Sequence, residues 1–322
     1  MFSSTFFSSC HEYIIRAWRQ WFVVTLLLVF PFFFIGGTDY YDPRSLKELW
    51  NLGHFFFFAL LVLVLDSYWC SIGRSDFFRI FAALFTSIFV GLSIELIQLN
   101  IDGRFFSWSD VVTDLSGGAI ALLWKTGRNL SGIRSILSQF VLIIIVFLNL
   151  VPIGIALSDE YRAYREFPLL AGFENKAELS RWADGRVSLS MVSSPRCQGG
   201  YSVKIILTTD KYSGLALHDF PGDWSGRQGL AFNVFNPGQP IILHYRVHDF
   251  QHNSNNIETY DDRYNGRTVM ENGWNEIVIP LIDIIEAPRG RNMDVTKISG
   301  FGMFVMEQTE RQVLFLDNVR LL

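Results

Sequence analysis

Asp110-Val-Val-Thr-Asp114-Leu-Ser-Gly117-Gly118-Ala-Ile-Ala121-Leu-Leu-Trp124 is the stretch on which the fold turns, because it is apolar yet short and carries two aspartates. A helix needs roughly 20 mostly apolar residues to cross a bilayer. Four other stretches approach that length: Trp21 to Gly37, His54 to Ile72, Phe77 to Leu99 and Ile136 to Leu157. If the short stretch also crosses, there are five spans and the connections alternate sides. Arg16, Arg19, Arg74, Arg79, Lys125, Arg128 and Arg134 then share one face, against Arg44, Lys47 and Arg104 on the other. The richer face is cytoplasmic by the positive-inside rule. The basic residues therefore favour five spans, and an odd count places everything after Leu157 outside the cytoplasm. The first stretch runs into Gly36-Gly37-Thr38-Asp39 without a small-x-small cleavage site and reads as a retained helix.

Composition agrees with a chain in two solvents. Of its 322 residues 50% are hydrophobic and 18% charged, but the net charge of -4 falls entirely after residue 158, and phenylalanine is concentrated before it. A single soluble domain, an all-membrane protein and a basic nucleic-acid binder are excluded, and no nucleic-acid partner is expected. Cys10, Cys70 and Cys197 lie far apart and give neither a disulfide framework nor a metal spacing.

Ionisable groups inside apolar helices are costly and need a reason. Asp66 sits about two turns from the cytoplasmic end of its helix, where water or a basic neighbour such as Arg74 could serve it. Glu95 and Gln98 share a face with Ser87 and Gly91, and Asp110, Asp114, Gly117, Gly118 and Ala121 form a matching stripe on the next helix. Small residues allow close backbone approach, and the polar groups above them can bond across the contact. Arg104, in the loop between, is placed to pair with the carboxylates.

The run Glu95-Leu-Ile-Gln98, Gly103-Arg104, Ser109-Asp110 and Gly117-Gly118 resembles the VanZ-like membrane family, over roughly residues 20 to 125, and His54 matches a histidine common in that family. Asp114 stands where the family usually has asparagine. The family is named for a glycopeptide-antibiotic resistance protein, so the resemblance implies an envelope role with no established chemistry. His54, Glu95, Gln98, Arg104, Asp110 and Asp114 are read either as a hydrogen-bonded helix clamp or as an outward-facing polar pocket for a lipid-linked or envelope headgroup. No nucleophile elbow, zinc motif, phosphate loop or dinucleotide fingerprint accompanies them.

Residues 159–168 read as a linker or interfacial stretch. From Leu169 short alternating runs separated by Gly, Pro, Asn and Asp predict nine strands: 172–174, 187–192, 201–207, 214–220, 229–235, 241–249, 274–280, 300–306 and 312–321. Such spacing indicates a β-sandwich. Leu230–Pro237, Tyr245–Asp249, Gly273–Pro280 and Leu316–Leu321 resemble a galactose-binding-like jelly roll, with carbohydrate-binding modules as kin. In 241–249, Leu243, Tyr245 and Val247 share one face and His244, Arg246 and His248 the other. His244 and His248 cannot share a metal, because four strand residues span roughly 13 Å at about 3.3 Å each. A polar face of His218, Asn233, His244, Arg246 and His248, with Tyr260, Arg263 and Tyr264 from a long 250–267 loop, suits sugar hydroxyls and ring stacking. The alternative is a plain solvated sheet face. The jelly-roll resemblance also implies a structural calcium, with Glu174 and Asp317 as candidate ligands; no other cofactor is expected.

The sequence thus predicts a multidomain protein: a cytoplasmic segment 1–20, a VanZ-like all-α domain 21–158 of about five transmembrane helices, a linker 159–168, and an extracytoplasmic all-β jelly-roll sandwich 169–322. It would sit as a multi-pass protein in a bacterial cytoplasmic (inner) membrane. The expected partners are the lipid bilayer and an envelope polysaccharide or lipid-linked glycan. The leading reading is non-enzymatic; the alternative is a membrane enzyme or transporter acting on a lipid-linked glycan, with His54, Glu95 or Asp110 as acid/base groups.

Overall fold

The computed structural model describes residues 18–35, 37–38, 42–101, 106–185, 187–254 and 260–322. The chain divides into two compact units, Met1–Ala156 and Leu157–Leu322.

The first unit is helical: α1 (Trp18–Phe33), α2 (Arg44–Ser71), α3 (Asp76–Gln98), α4 (Trp108–Gly127) and α5 (Ile133–Glu166). Ser75 and Ser107 cap α3 and α4 by accepting from the Phe78 and Asp110 amides, each at 3.3 Å, which satisfies otherwise orphaned N–H groups. By length and composition α2, α3 and α5 suffice to cross a membrane; α1 is shorter and α4 is interrupted by its charges. Phe77, Phe81, Phe85 and Phe89 form an exposed stripe at four-residue spacing on α3, its last three rings stacked in series. Helix α5 likewise exposes Ile136, Phe140, Ile143 and Phe147. Apolar surface this extensive needs a cover, and hydrocarbon provides one.

Helix α4 packs on both α2 and α3 because its glycines let it. A Cβ at Gly117 would strike the Phe55 carbonyl of α2, and one at Gly118 would strike the Ser87 hydroxyl of α3. The expected α3–α4 stripe therefore exists, with Asp114 lying against Gly91, but Gly117 serves α2. Asp66 differs from expectation: its buried carboxylate takes two bonds from Arg79, at 2.7 and 3.0 Å, and pairs with Lys125, not Arg74. Arg79, one turn into α3, and Lys125, at the end of α4, reach it across helix contacts that spacing along one helix cannot reveal.

The second unit is an antiparallel sandwich. One sheet runs β3 (Ser188–Val192), β4 (Ser202–Ile206), β11 (Val313–Leu321), β6 (Gly229–Asn236), β9 (Gly273–Pro280), with β1 (Leu169–Ala171) also pairing β11. The other runs β2 (Trp182–Gly185), β5 (Tyr212–Leu217), β10 (Ile298–Met306), β7 (Ile241–Asp249), β8 (Tyr264–Met270). Period-two alternation sends Leu243, Tyr245 and Val247 of β7 inward, with Phe232, Leu230, Phe301 and Trp224 filling the space between the sheets.

Several expectations are corrected. The first strand is residues 169–171, not 172–174; Phe173 instead takes a positive φ of 59° in the turn that follows. The strands β2 and β8 have no counterpart among the nine predicted strands. Both are edge strands, and β8 exposes Arg267, Thr268 and Val269, so no alternating apolar signal marks it. Consequently the 250–267 loop is interrupted by a short helix, α6 (Phe250–Ser254), and gives its end to β8. Residues 159–166, read as a linker or interfacial stretch, are helical and continue α5. Within the second unit, Asp159 of that helical segment takes two bonds from Arg181, at 3.0 and 2.9 Å, and both side chains are buried.

Candidate functional site

In the helical unit the polar residues singled out by sequence come together, except Arg104, which lies outside the described residues. His54 Nδ1 lies 2.9 Å from Asp114 Oδ1. Glu95 Oε2 accepts from the Ser107 amide at 2.7 Å, which fastens the start of α4 to α3. Gln98 donates to the Phe33 carbonyl at 2.9 Å and so holds the end of α1. His54, Glu95, Gln98 and Asp114 are all buried. One ligand-capable atom each from His54, Glu95 and Asp110 lie within 4.8 Å of one another. Two oxygens, Glu95 Oε1 and Asp114 Oδ2, are buried with no hydrogen-bond partner among the described residues.

In the sandwich the predicted sugar-binding residues separate. His244 and Arg246 stand on the outer face of the five-stranded sheet, as alternation requires. His248 shares that face but is buried, because its ring folds over Gly300, and Arg246 lies in the same way over Gly302. His218 follows β5 at the same end of the sheet. Burial, with His252 and Arg246 nearby, pushes the His248 imidazole down to about 3, so it is neutral at physiological pH. Asn233 belongs to the other sheet, where it accepts from Asn318 at 3.2 Å and Arg320 at 3.4 Å. Tyr264 points to the core side and stacks with Tyr245; burial raises its hydroxyl to about 12. Tyr264 also joins Tyr260 and Arg263 in lining an open cleft of about 320 Å³ with Asp261, Asn265, Asp283 and Arg289, beside the strand edge.

Residues not anticipated complete the outer face. Phe304 of β10 stacks on His244, ring centroids 5.3 Å apart and nearly parallel, and Tyr212 of β5 meets Phe304 edge-on at 6.0 Å. Arg267 lies opposite His244 on β8. The signal is present in Gly300-Phe301-Gly302-Met303-Phe304, whose alternation puts two glycines and then an aromatic on one face, but it can be assigned to a face only once the pairing is known. Below this face Arg291 bridges Asp249, at 2.6 and 2.9 Å, and Asp262, at 2.6 and 3.0 Å.

Glu174 and Asp317 both hold the segment 197–201. Asp317 Oδ2 accepts from the Cys197 and Gln198 amides, and Glu174 Oε1 from Gly200 and Tyr201. Burial pushes the Asp317 carboxyl up, and Oδ1 is its one buried oxygen without a partner. Two carboxylates supply fewer than the six to eight oxygens calcium takes, so backbone carbonyls would have to complete its shell.

Comparison with known proteins follows the same division. Residues 1–126 match the family model VanZ/LLP1, so this part of the chain is VanZ-like. No curated protein matches the chain. Similar solved structures include a family 11 carbohydrate-binding module from Clostridium thermocellum in complex with a β-1,3-1,4-mixed-linked tetrasaccharide (18% identity, 48% of this chain and 94% of that one, TM-score 0.37). An exo-β-agarase has 16% identity over 48% of this chain and 24% of its own, at a TM-score of 0.39. The CBM22-2 xylan-binding domain of Paenibacillus barcinonensis has 16% identity over 44% and 91%, at 0.31.

Proposed function

We propose that this chain is a multi-pass envelope protein whose VanZ-like helices anchor a glycan-recognising sandwich outside the cytoplasm. The observation that carries the reading is the outer face of the five-stranded sheet. Tyr212, Phe304 and His244 form a continuous aromatic row over three neighbouring strands, flanked by Arg246 and Arg267, with His248 and Arg246 laid over Gly300 and Gly302 beside it. Flat rings match the apolar faces of pyranoses, and guanidinium and imidazole groups donate to hydroxyls. Each such hydrogen bond replaces one to water and yields only about 0.5–1.5 kcal/mol, so millimolar to micromolar affinity is expected. Burial and Arg267 depress the His244 imidazole, which keeps that ring neutral and suited to stacking. The side of the membrane follows from five spans and the excess of basic residues on the opposite face.

The test is retention of the sandwich on immobilised envelope and plant polysaccharides. Phe304→Ala and His244→Ala together should abolish retention while the melting temperature stays nearly constant, because neither side chain lies between the sheets. If the unaltered sandwich binds no glycan, this face is not a sugar platform.

A further inference from the structure

We propose that His54, Glu95 and Asp110 bind a divalent first-row transition ion within the helical unit, with Asp114 as a positioning residue.

A helix clamp explains only part of the geometry. Glu95 needs one oxygen to hold the Ser107 amide, and glutamine would do that without a charge. Its other oxygen, Oε1, is left buried and without a partner among the described residues, on a side chain of zero exposure. A bare carboxylate oxygen away from water is expensive, and a cation removes that cost. The neighbours are the right kind. Asp110, in the first turn of α4, brings a second carboxylate, and His54 brings an imidazole.

The histidine is also oriented as a ligand is. His54 Nδ1 lies 2.9 Å from Asp114 Oδ1, and an ionised Asp114 accepting there would leave the Nε2 lone pair for a metal. A carboxylate behind a histidine is the usual outer-shell support of a metal-bound imidazole, because it aligns the ring and raises its basicity. Phe33 packs edge-on against the same ring, centroids 4.6 Å apart. Three helices therefore contribute: α2 gives His54, α3 gives Glu95, and α4 gives Asp110 and Asp114.

Two ligand atoms each about 2.1 Å from one ion are at most about 4.2 Å apart, so the 4.8 Å grouping closes with small side-chain rotations. One nitrogen and two carboxylates suit zinc or manganese. Three protein ligands are too few for calcium, and imidazole is a poor ligand for magnesium.

The experiment uses the full chain, tag-free and chelator-stripped, in lipid nanodiscs. Equilibrium dialysis against zinc, followed by metal analysis, should give one tightly held zinc per chain, and zinc should raise the melting temperature; magnesium should do neither. Glu95→Gln keeps the acceptor for Ser107, and Asp110→Asn keeps the helix start, so each should fold when zinc-free yet bind zinc at least about 100-fold more weakly. Asp114→Asn should keep the stoichiometry and lose about 10–100-fold in affinity, the range for outer-shell partners. His244→Ala with His248→Ala, in the other unit, should leave zinc stoichiometry and affinity unchanged. Should Glu95→Gln fail to fold, Asp110→Asn and Asp114→Asn carry the same comparison. The proposal is overturned if no zinc binds, if magnesium binds equally well, or if the Asp110 and Asp114 variants bind zinc as tightly as the unaltered chain.

Discussion

Cutting the chain at Phe167, just before the alternating pattern begins, should yield a damaged sandwich, and the reason is a single ion pair. Arg181 is 1% exposed and Asp159 3% exposed. The guanidinium donates to both carboxylate oxygens and to the Leu170 carbonyl. A fragment starting at Phe167 keeps the arginine and the Leu170 acceptor but loses the counter-charge. Removing one partner of a buried pair costs about 3–5 kcal/mol, because the other charge stays desolvated and unpaired. For a unit of this size each kcal/mol shifts melting by about 2–4 °C, so Phe167–Leu322 should melt about 6–20 °C below Leu157–Leu322. Asp159→Ala in the longer fragment should reproduce the loss. Asp159→Leu with Arg181→Met should recover much of it, since an apolar pair of similar volume carries no charge to desolvate. Scanning calorimetry of these four proteins decides the matter. If the two fragments melt within about 2 °C of each other, the pair is not what holds the helical segment to the sandwich.

Arg291→Ala should cost the sandwich about 3 kcal/mol and alter its acid response. Burial alone would raise the Asp249 carboxyl, but bonds from Arg291 and from backbone N–H groups outweigh it, and Arg291 also holds Asp262 low. Groups depressed in the folded state stabilise it above the unfolded carboxylate range, near pH 4, and that contribution is lost as pH falls through their folded values. Urea unfolding from pH 6 to 2 should therefore show a steep loss in the unaltered sandwich and a shallower one in Arg291→Ala; equal slopes would remove the role assigned to the network. In the helical unit, Gly117→Ala should prevent recovery of monodisperse full-length protein because its Cβ would meet the Phe55 carbonyl, whereas Gly53→Ala, with nothing within 4 Å, should be tolerated on size-exclusion chromatography. Topology reporters after Leu322 and at Asn129 should be active outside and inside the cytoplasm respectively; a C-terminus that reports cytoplasm contradicts the five-span reading.

Patterns local to one element are legible in the amino-acid sequence. Five apolar stretches, the VanZ-like polar set on consecutive helices, and the alternation of His244, Arg246 and His248 all follow from spacing along a helix or strand, because 3.6- and 2-residue periods fix which side chains share a face. The edge strands β2 and β8 escape such a reading because an edge exposed to water needs no apolar alternation. What only the tertiary structure decides is partnership across elements. Asp66 pairs with Arg79 and Lys125, Asn233 sits on the sheet opposite the histidines, Phe304 completes a platform with Tyr212 and His244, and Arg181 finds Asp159 in a segment whose composition suggests a linker. These choices depend on strand order and helix contacts between residues far apart in the chain, so no spacing within a single element encodes them. Buried charges make the dependence sharpest: the sequence shows that Asp66, Glu95 and Asp114 must be compensated, and only the packing shows by what.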